Sequence, residues 1–302
     1  MEAFLASVVI AATPFIWAGL GELVAERAGV LNLGVEGMML VGAVAGFATT
    51  FATGSQALGI LAGAAASAAM AGVFVVVSLL LLANQAATGL ALTIFGLGAS
   101  GLIGQPYVGQ TVAALPKLSI PLVSETALGR ILLNHDVLVY AGLALAVAVA
   151  LFLSRSRWGL ALRAIGDNPD AGHALGYPVI LIRSLATLFG GAAAGVGGAY
   201  LSLAYTPMWG ENMTAGRGWI AIALVVFATW RPGRLVAGAF LFAGVTQLQF
   251  FGQDWGIAVA SQWLAMAPYL ATVVALVIIS RDEALTKANA PAAIGRPFRA
   301  ER

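Results

Sequence analysis

The chain is poor in side chains that do chemistry: its 302 residues include two histidines, thirteen Asp and Glu, and no cysteine. The absence of cysteine excludes thiol catalysis, disulfide staples and thiolate metal sites. Two places set a carboxylate and an amide against apolar tracts. One is ERAGVLNLGVEGMMLVGA, residues 26–43, with Asn32 and Glu36; the other is TPMWGENMTAGRG, residues 206–218, with Glu211 and Asn212. Such groups have two physical uses beside a membrane. They line a path for a polar solute, or they cap helices. As caps, Asn32 would accept from free backbone N–H groups and Glu36 would complement the helix dipole, worth about 0.3–1 kcal/mol. Both readings stand for these residues.

Other patterns carry less. GLGASG, Gly96–Gly101, matches the GxGxxG of dinucleotide-binding folds, but that pattern needs a strand before it and a helix after it. Here it lies in an apolar run, where glycines serve close helix packing. Gly98-Ala-Ser100-Gly also resembles the GxSG of rhomboid-type intramembrane proteases, with His173 as the candidate base. His173 sits among Arg and Asp residues in a loop, whereas a general base must reach its serine. His135 beside Asp136 reads as a solvated pair at a membrane edge. No GxxxxGK[ST] occurs and the only lysines are Lys117 and Lys287, so the chain cannot itself cradle ATP phosphates and any ATP is hydrolysed by a partner. No cofactor and no metal site is expected.

The elements that position these residues follow from composition. The chain is 60% hydrophobic and 9% charged, with a mean hydropathy of +0.93, against about 25% charged residues in ordinary soluble domains. Residues 57–82 carry no charge, and a spanning helix needs about 20 apolar residues. An all-α, polytopic transmembrane bundle is predicted, with spans near 3–20, 35–53, 57–82, 87–104, 135–153, 184–206, 216–230, 234–251 and 262–280: about nine, with eight to ten allowed. No Lys or Arg precedes the first run, so the n-region of a cleavable signal peptide is missing and that run is expected to stay as a helix. GxxxG spacings at Gly42–Gly46, Gly59–Gly63 and Gly191–Gly195 fit tight packing. The formal charge of +2 is too small to suggest nucleic acid.

Orientation follows from the basic residues. With the C-terminus in the cytoplasm, the inner side holds twelve of the fifteen Lys and Arg, leaving only Lys117, Arg130 and Arg217 outside. The positive-inside rule favours this arrangement, with the N-terminus outside. Residues 105–134, with Pro106, Pro116 and Pro121, then form an irregular outer cap. Residues 154–184 form an inner helical elbow: helical spacing over 158–165, a stop and restart at Asp167-Asn168-Pro169, and a short second helix over 170–175.

Two segments are broken. Residues 219–230 would make a helix of about 18 Å against a hydrocarbon core of about 30 Å. The preceding Thr206–Gly218 must therefore descend to membrane depth, where irregular backbone is tolerated only against protein or a wet cavity. A span ending near Thr53 starts near Gly34, which puts Glu36 in its first turn at the cytoplasmic boundary. Paired interrupted segments in the two halves of a chain point to a translocation path and an inverted repeat.

Residues 21–43, LRAIGDNPDAGHALGYPV (162–179), GGAAAGVGGAYLSL (190–203) and MTAGRGWIAIALVVFATWRPGRLVAGAFLF (213–242) resemble, in order and spacing, the permease subunits of ABC importers in the ribose and branched-chain amino acid permease superfamily. The nearest likeness is to its nucleoside and simple-sugar branch, with the E-R-x-G-V-x-N-x-G-x-E-G opening as signature. The resemblance implies a transmembrane permease domain over 1–284, a cytoplasmic tail over 285–302, and residence in the cell (inner) membrane among its lipids. It implies a separate ABC ATPase, a second and different permease subunit, and an extracytoplasmic solute-binding protein as partners. The elbow would be the coupling helix docking on the ATPase, with Ala164, Gly166, Asn168, Ala171 and Gly176 at the matching positions. Gly172, Tyr177 and Ala228 depart from the family's usual Ala, aliphatic and Gly residues. An ion-coupled carrier is the alternative within transport; it needs a membrane-embedded carboxylate, whereas the acidic residues read as lying at span boundaries.

Overall fold

The computed structural model describes residues 1–118, 126, 129, 131, 133–254, 266–267, 270, 273–274, 277 and 289–299. The long helices are α1 (Glu2–Arg27), α2 (Val35–Thr53), α3 (Gln56–Phe74, extended by a π turn Val75–Leu80), α4 (Gln85–Gly104), α5 (Val137–Arg155), α8 (Val179–Tyr200, extended by a π turn Leu201–Tyr205) and α10 (Pro232–Asp254). Between them lie α6 (Arg157–Asp167), α7 (Pro169–Ala174) and α9 (Arg217–Phe227). Seven of the described helices are long and apolar enough to cross a membrane, and α9, at 11 residues, is not. The ninth predicted span, 262–280, lies largely outside the described residues.

Local sequence sets the breaks. Gly54, at φ +70°, ends α2 in the left-handed conformation that glycine adopts without steric cost. Ser55, Asn84, Asp136 and Ser156 begin α3, α4, α5 and α6 by accepting first-turn N–H groups, the N-cap role for which these side chains are preferred.

At one end of the bundle lie Arg27, the last residue of α1, the elbow α6–α7, and the starts of α8 and α10; this is the basic end. The centre is α1, α2, α3 and α8, held by small residues. A Cβ added at Gly42 would lie 2.5 Å from Gly195 Cα, and one at Gly63 would lie 2.8 Å from the Gly42 carbonyl oxygen. All three predicted GxxxG pairs belong to this contact, where close backbones replace the hydrophobic drive that lipid removes. Gly96 of GLGASG meets Gly37 of α2 in the same way, at 2.6 Å, while Gly98 has no neighbour within 4 Å, so one glycine of the motif serves packing.

Two expectations change. The first helix runs to Arg27 and not to residue 20, because Glu22, Glu26 and Arg27 are buried against partners distant in sequence. His135 and Asp136 are buried and not solvated: they pair as strand β2 (His135–Asp136) with β1 (Lys117–Leu118), and Asp136 accepts from Leu138 and Val139 N. Burial raises the Asp136 carboxyl above the usual aspartate range, opposed by those two N–H groups. The tail, where described, packs on the basic end of the bundle. Ala293 N donates to Gly166 O, Gly295 N to Gly29 O, and Phe298 is buried in the main core.

Candidate functional site at the meeting of two helix starts

The chain leaves α1 and doubles back along it. Val30 N donates to Ala25 O, and Asn32 N donates to the Glu22 carboxylate at 3.1 Å. Asn32 Oδ1 accepts from Gly34 N at 2.9 Å and fixes the turn into α2. The N-cap itself is Gly34, so Asn32 shapes the entry without occupying the cap position. Gly37 packs on the Leu92 carbonyl and Thr93, seven residues into α4. Glu36 therefore sits roughly 10 Å inside the basic end of α4, not at the boundary.

Its carboxylate does not cap its own helix. Oε1 accepts from Thr214 Oγ1 at 2.5 Å and Gly216 N at 2.8 Å, and Oε2 accepts from Gly218 N at 2.5 Å. Two of these donors are backbone N–H groups at the N-terminus of α9, the N-cap Gly216 and Gly218, and the third is the Thr214 hydroxyl just before it. Glu36 is 4% exposed, so both oxygens are used by the protein. The starts of α2 and α9 face one carboxylate, and two positive helix ends share one negative charge. Gly218 permits the approach: a Cβ there would lie 2.5 Å from Glu36 Cα.

The segment before α9 descends as the short apolar tract requires. Trp209 packs against Gly104 at the far end of α4, where an added Cβ would fall 2.2 Å from its ring. Gly218 lies by Glu36, level with Leu92. The twelve residues of α4 between these levels make the descent about 18 Å. The backbone is left-handed at Asn212 (φ 54°), Ala215 (φ 48°) and Gly216 (φ 83°), a conformation costing a non-glycine residue about 1 kcal/mol or more and found at functional sites. Glu211 and Asn212 are both exposed, and an added Cβ on Gly101 of α4 would lie 3.7 Å from Glu211 Oε1. The structure thus brings Asn32 and Glu36 to one node, while Glu211 and Asn212 stand above it on the face shared with α4. Arg217, counted on the outer side from sequence, is the first residue of α9. It donates to the Met213 and Thr214 carbonyls and its guanidinium lies 5.4 Å from the Tyr205 ring centroid. A cavity of about 140 Å³ opens beside it, with Tyr205, Thr206 and Met213 in its wall.

The other end of α9 is held by α1. Trp230 Nε1 donates to Glu26 Oε2 at 2.5 Å, and Arg27 donates to the Trp230 carbonyl through Nε and Nη2 at 3.2 and 3.0 Å. Sequence reasoning missed Glu26, Arg27 and Trp230. The signal was the adjacent Glu-Arg pair at the end of an apolar run with no partner nearby. Ala228, the C-cap of α9, sits in right-handed backbone at φ −70° and needs no glycine.

At the elbow, Asn168 caps α7 by accepting from Ala171 N at 3.0 Å. Ala164, Asn168, Ala171 and Gly176 are exposed. Gly166 is buried, because an added Cβ would fall 2.1 Å from the Arg27 carbonyl oxygen. Four of the five predicted docking residues thus share an open surface with Leu175, 79% exposed, and the fifth ties the elbow to α1. Gly172 packs on Ile165, where an added Cβ would come within 2.9 Å.

The model of the family described as the branched-chain amino acid transport system permease component matches residues 4–280. The chain belongs to this permease family. A protein of Haloferax volcanii, named provisionally as a glucose ABC transporter permease, is 43% identical over 255 residues, 83% of this chain and 78% of its own. A nucleoside ABC transporter permease of Lactococcus lactis is 30% identical over 98% of this chain and 96% of its own. A guanosine ABC transporter permease of Bacillus subtilis is 27% identical over 96% and 94%. No solved structure matches the chain. The chain is accordingly a multi-pass membrane subunit of an ABC transporter.

The permease geometry also bears on the alternatives. Ser100 is buried near the far end of α4 and donates to Leu97 O. His173 is exposed on α7 at the basic end, its ring 5.7 Å from Phe298, so the two do not meet. The acidic residues are not confined to boundaries, since Glu22 and Glu26 are each 1% exposed within α1. Family membership, not the position of the acids, therefore argues for ATP-driven transport.

Proposed function

We propose that the permease forms half of a path for a small polar solute, a nucleoside or a simple sugar, with a related permease subunit supplying the other half. The observation that carries this reading is the irregular descent from Trp209 to Gly218, about 18 Å below the far end of α4, with Glu211 and Asn212 exposed along it. Lipid cannot satisfy such backbone or such a carboxylate, so water and a partner subunit cover that face. The basic end is cytoplasmic by the positive-inside rule, and the N-terminus is outside. A solute-binding protein delivers at the far end, and an ATPase docks on Ala164, Asn168, Ala171 and Gly176. The elbow is tied through Gly166 to the end of α1, α1 grips α9 through Glu26 and Arg27, and α9 ends at Glu36. Movement imposed at the elbow thereby reaches the middle of the path, and Glu36 holds the half-helix while Glu211 and Asn212 face the solute.

The names of the relatives motivate the substrate class, one being a glucose and two being nucleoside or guanosine transporters. Uptake of labelled guanosine, adenosine, glucose and leucine in cells expressing the permease with its ATPase, partner permease and binding protein tests it. Saturable uptake of a nucleoside or a sugar is expected. Uptake of leucine alone would contradict the assignment.

A further inference from the structure

The described face formed by α1, α5, α6 and α8 holds a larger cavity, away from the α2–α4–α9 node. Its volume is about 410 Å³ and it opens sideways, between Phe152, Trp158, Leu185 and Phe189, over Ala148 and the buried Ala186. Almost nothing polar lines it. It lies in the half of the bundle nearest the basic end, since Phe152 is in the last turn of α5 and Leu185 in the second turn of α8. Arg155 and Arg157, both exposed, lie between two of its lining residues in sequence, three positions after Phe152 and one before Trp158. Arg163, half-buried, donates to the Leu153 carbonyl in the same corner. Trp158 is 62% exposed, as befits an aromatic side chain at the headgroup level of a bilayer.

An apolar slot of acyl-chain calibre, walled by an exposed tryptophan with arginines on either side of the turn that carries it, has a defined complement. We propose that this cavity is a binding site for one anionic phospholipid of the cytoplasmic leaflet, with an acyl chain over Ala148 and Ala186 and the phosphate against Arg155 and Arg157. Arginine suits the head because its planar donors pair with phosphate oxygens two at a time. A lipid here would brace the corner between α5 and α6, from which the elbow extends.

The test uses the full chain purified with its partner subunits, stripped of lipid, and titrated with dioleoyl phosphatidylglycerol or dioleoyl phosphatidylcholine, with bound lipid counted by native mass spectrometry. Phosphatidylglycerol is expected to bind more tightly, and neutralising Arg155→Gln and Arg157→Gln to weaken it about five-fold for each charge, with a smaller loss for phosphatidylcholine, whose choline offsets its phosphate. Ala148→Phe, at an exposed position, fills the slot and lowers binding of both. Equal binding of the two lipids, or phosphatidylglycerol binding indifferent to all three substitutions, would overturn the proposal. Because the chain has no cysteine, Ala148→Cys offers a unique crosslinking handle. Its efficient crosslinking to the partner permease would make the face a subunit contact and equally overturn it.

Discussion

Replacing Glu36 by Gln is the sharpest perturbation of the node, because it keeps shape and removes charge. Three donors converge on two oxygens: Thr214 Oγ1 and Gly216 N on one, Gly218 N on the other. Glutamine offers one oxygen. With its NH2 in place of Oε2, it sets a donor against the Gly218 N–H, which has no water to turn to. The lost charge-assisted hydrogen bond is worth about 1.5–3 kcal/mol. Removing the negative charge from the N-terminus of α9 adds about 0.3–1 kcal/mol, and up to about 2 in a partly buried setting. A loss of about 2–5 kcal/mol follows. Thr214→Val removes one donor and leaves the carboxylate two, for about 1–2 kcal/mol. The pair should couple, with Thr214→Val costing less by on the order of 1 kcal/mol when Glu36 is already Gln. The measurement is unfolding of the purified chain by SDS titration in mild detergent, read by tryptophan fluorescence and repeated for both single variants and the double. A Glu36→Gln protein within about 0.5 kcal/mol of the parent, with no coupling to Thr214, would refute the view that this carboxylate anchors α9.

The elbow separates docking from packing. Gly166→Leu should lower the yield of folded protein, since its Cβ meets the Arg27 carbonyl. Ala171→Leu and Leu175→Ala, both exposed, should leave folding intact and reduce co-purification of the ATPase; retention of the ATPase by both would count against the docking surface. Truncation after residue 288 removes the strand of chain that bonds Gly166 and Gly29 and buries Phe298. It should lower thermal stability and ATP-driven uptake together, with membrane insertion unchanged; full uptake by the truncated permease would show the tail to be dispensable. Glu211→Gln should reduce uptake without changing unfolding, because Glu211 is exposed on the face proposed to line the path; a matching loss of stability would make it a structural residue.

The sequence carried the architecture where length decides. A 12-residue apolar tract cannot cross 30 Å of hydrocarbon, so the short α9 and the descent before it were legible, as was Glu36 in the first turn of α2. The identity of its partners was not, because pairing between two helix starts 178 to 182 positions apart leaves no periodic trace. Hydropathy ended α1 early for the same reason: Glu26 looks like a boundary residue until Trp230, 204 positions on, donates to it. His135 and Asp136 read as solvated because the strand that covers them is two residues in an irregular segment. The ties of the tail were not legible because they run through backbone groups at Gly29 and Gly166, which any sequence offers.

The central claim is that this chain is moved by an ATPase at its basic end and passes solute beside α9. Proteoliposomes holding the permease, its partner permease and its ATPase, with the binding protein and labelled nucleoside or sugar on the binding-protein side, test it directly. Accumulation that requires ATP on the ATPase side, resists ionophores and falls with Glu36→Gln is the predicted result. Accumulation that persists without the ATPase and collapses with an ion gradient would contradict the account.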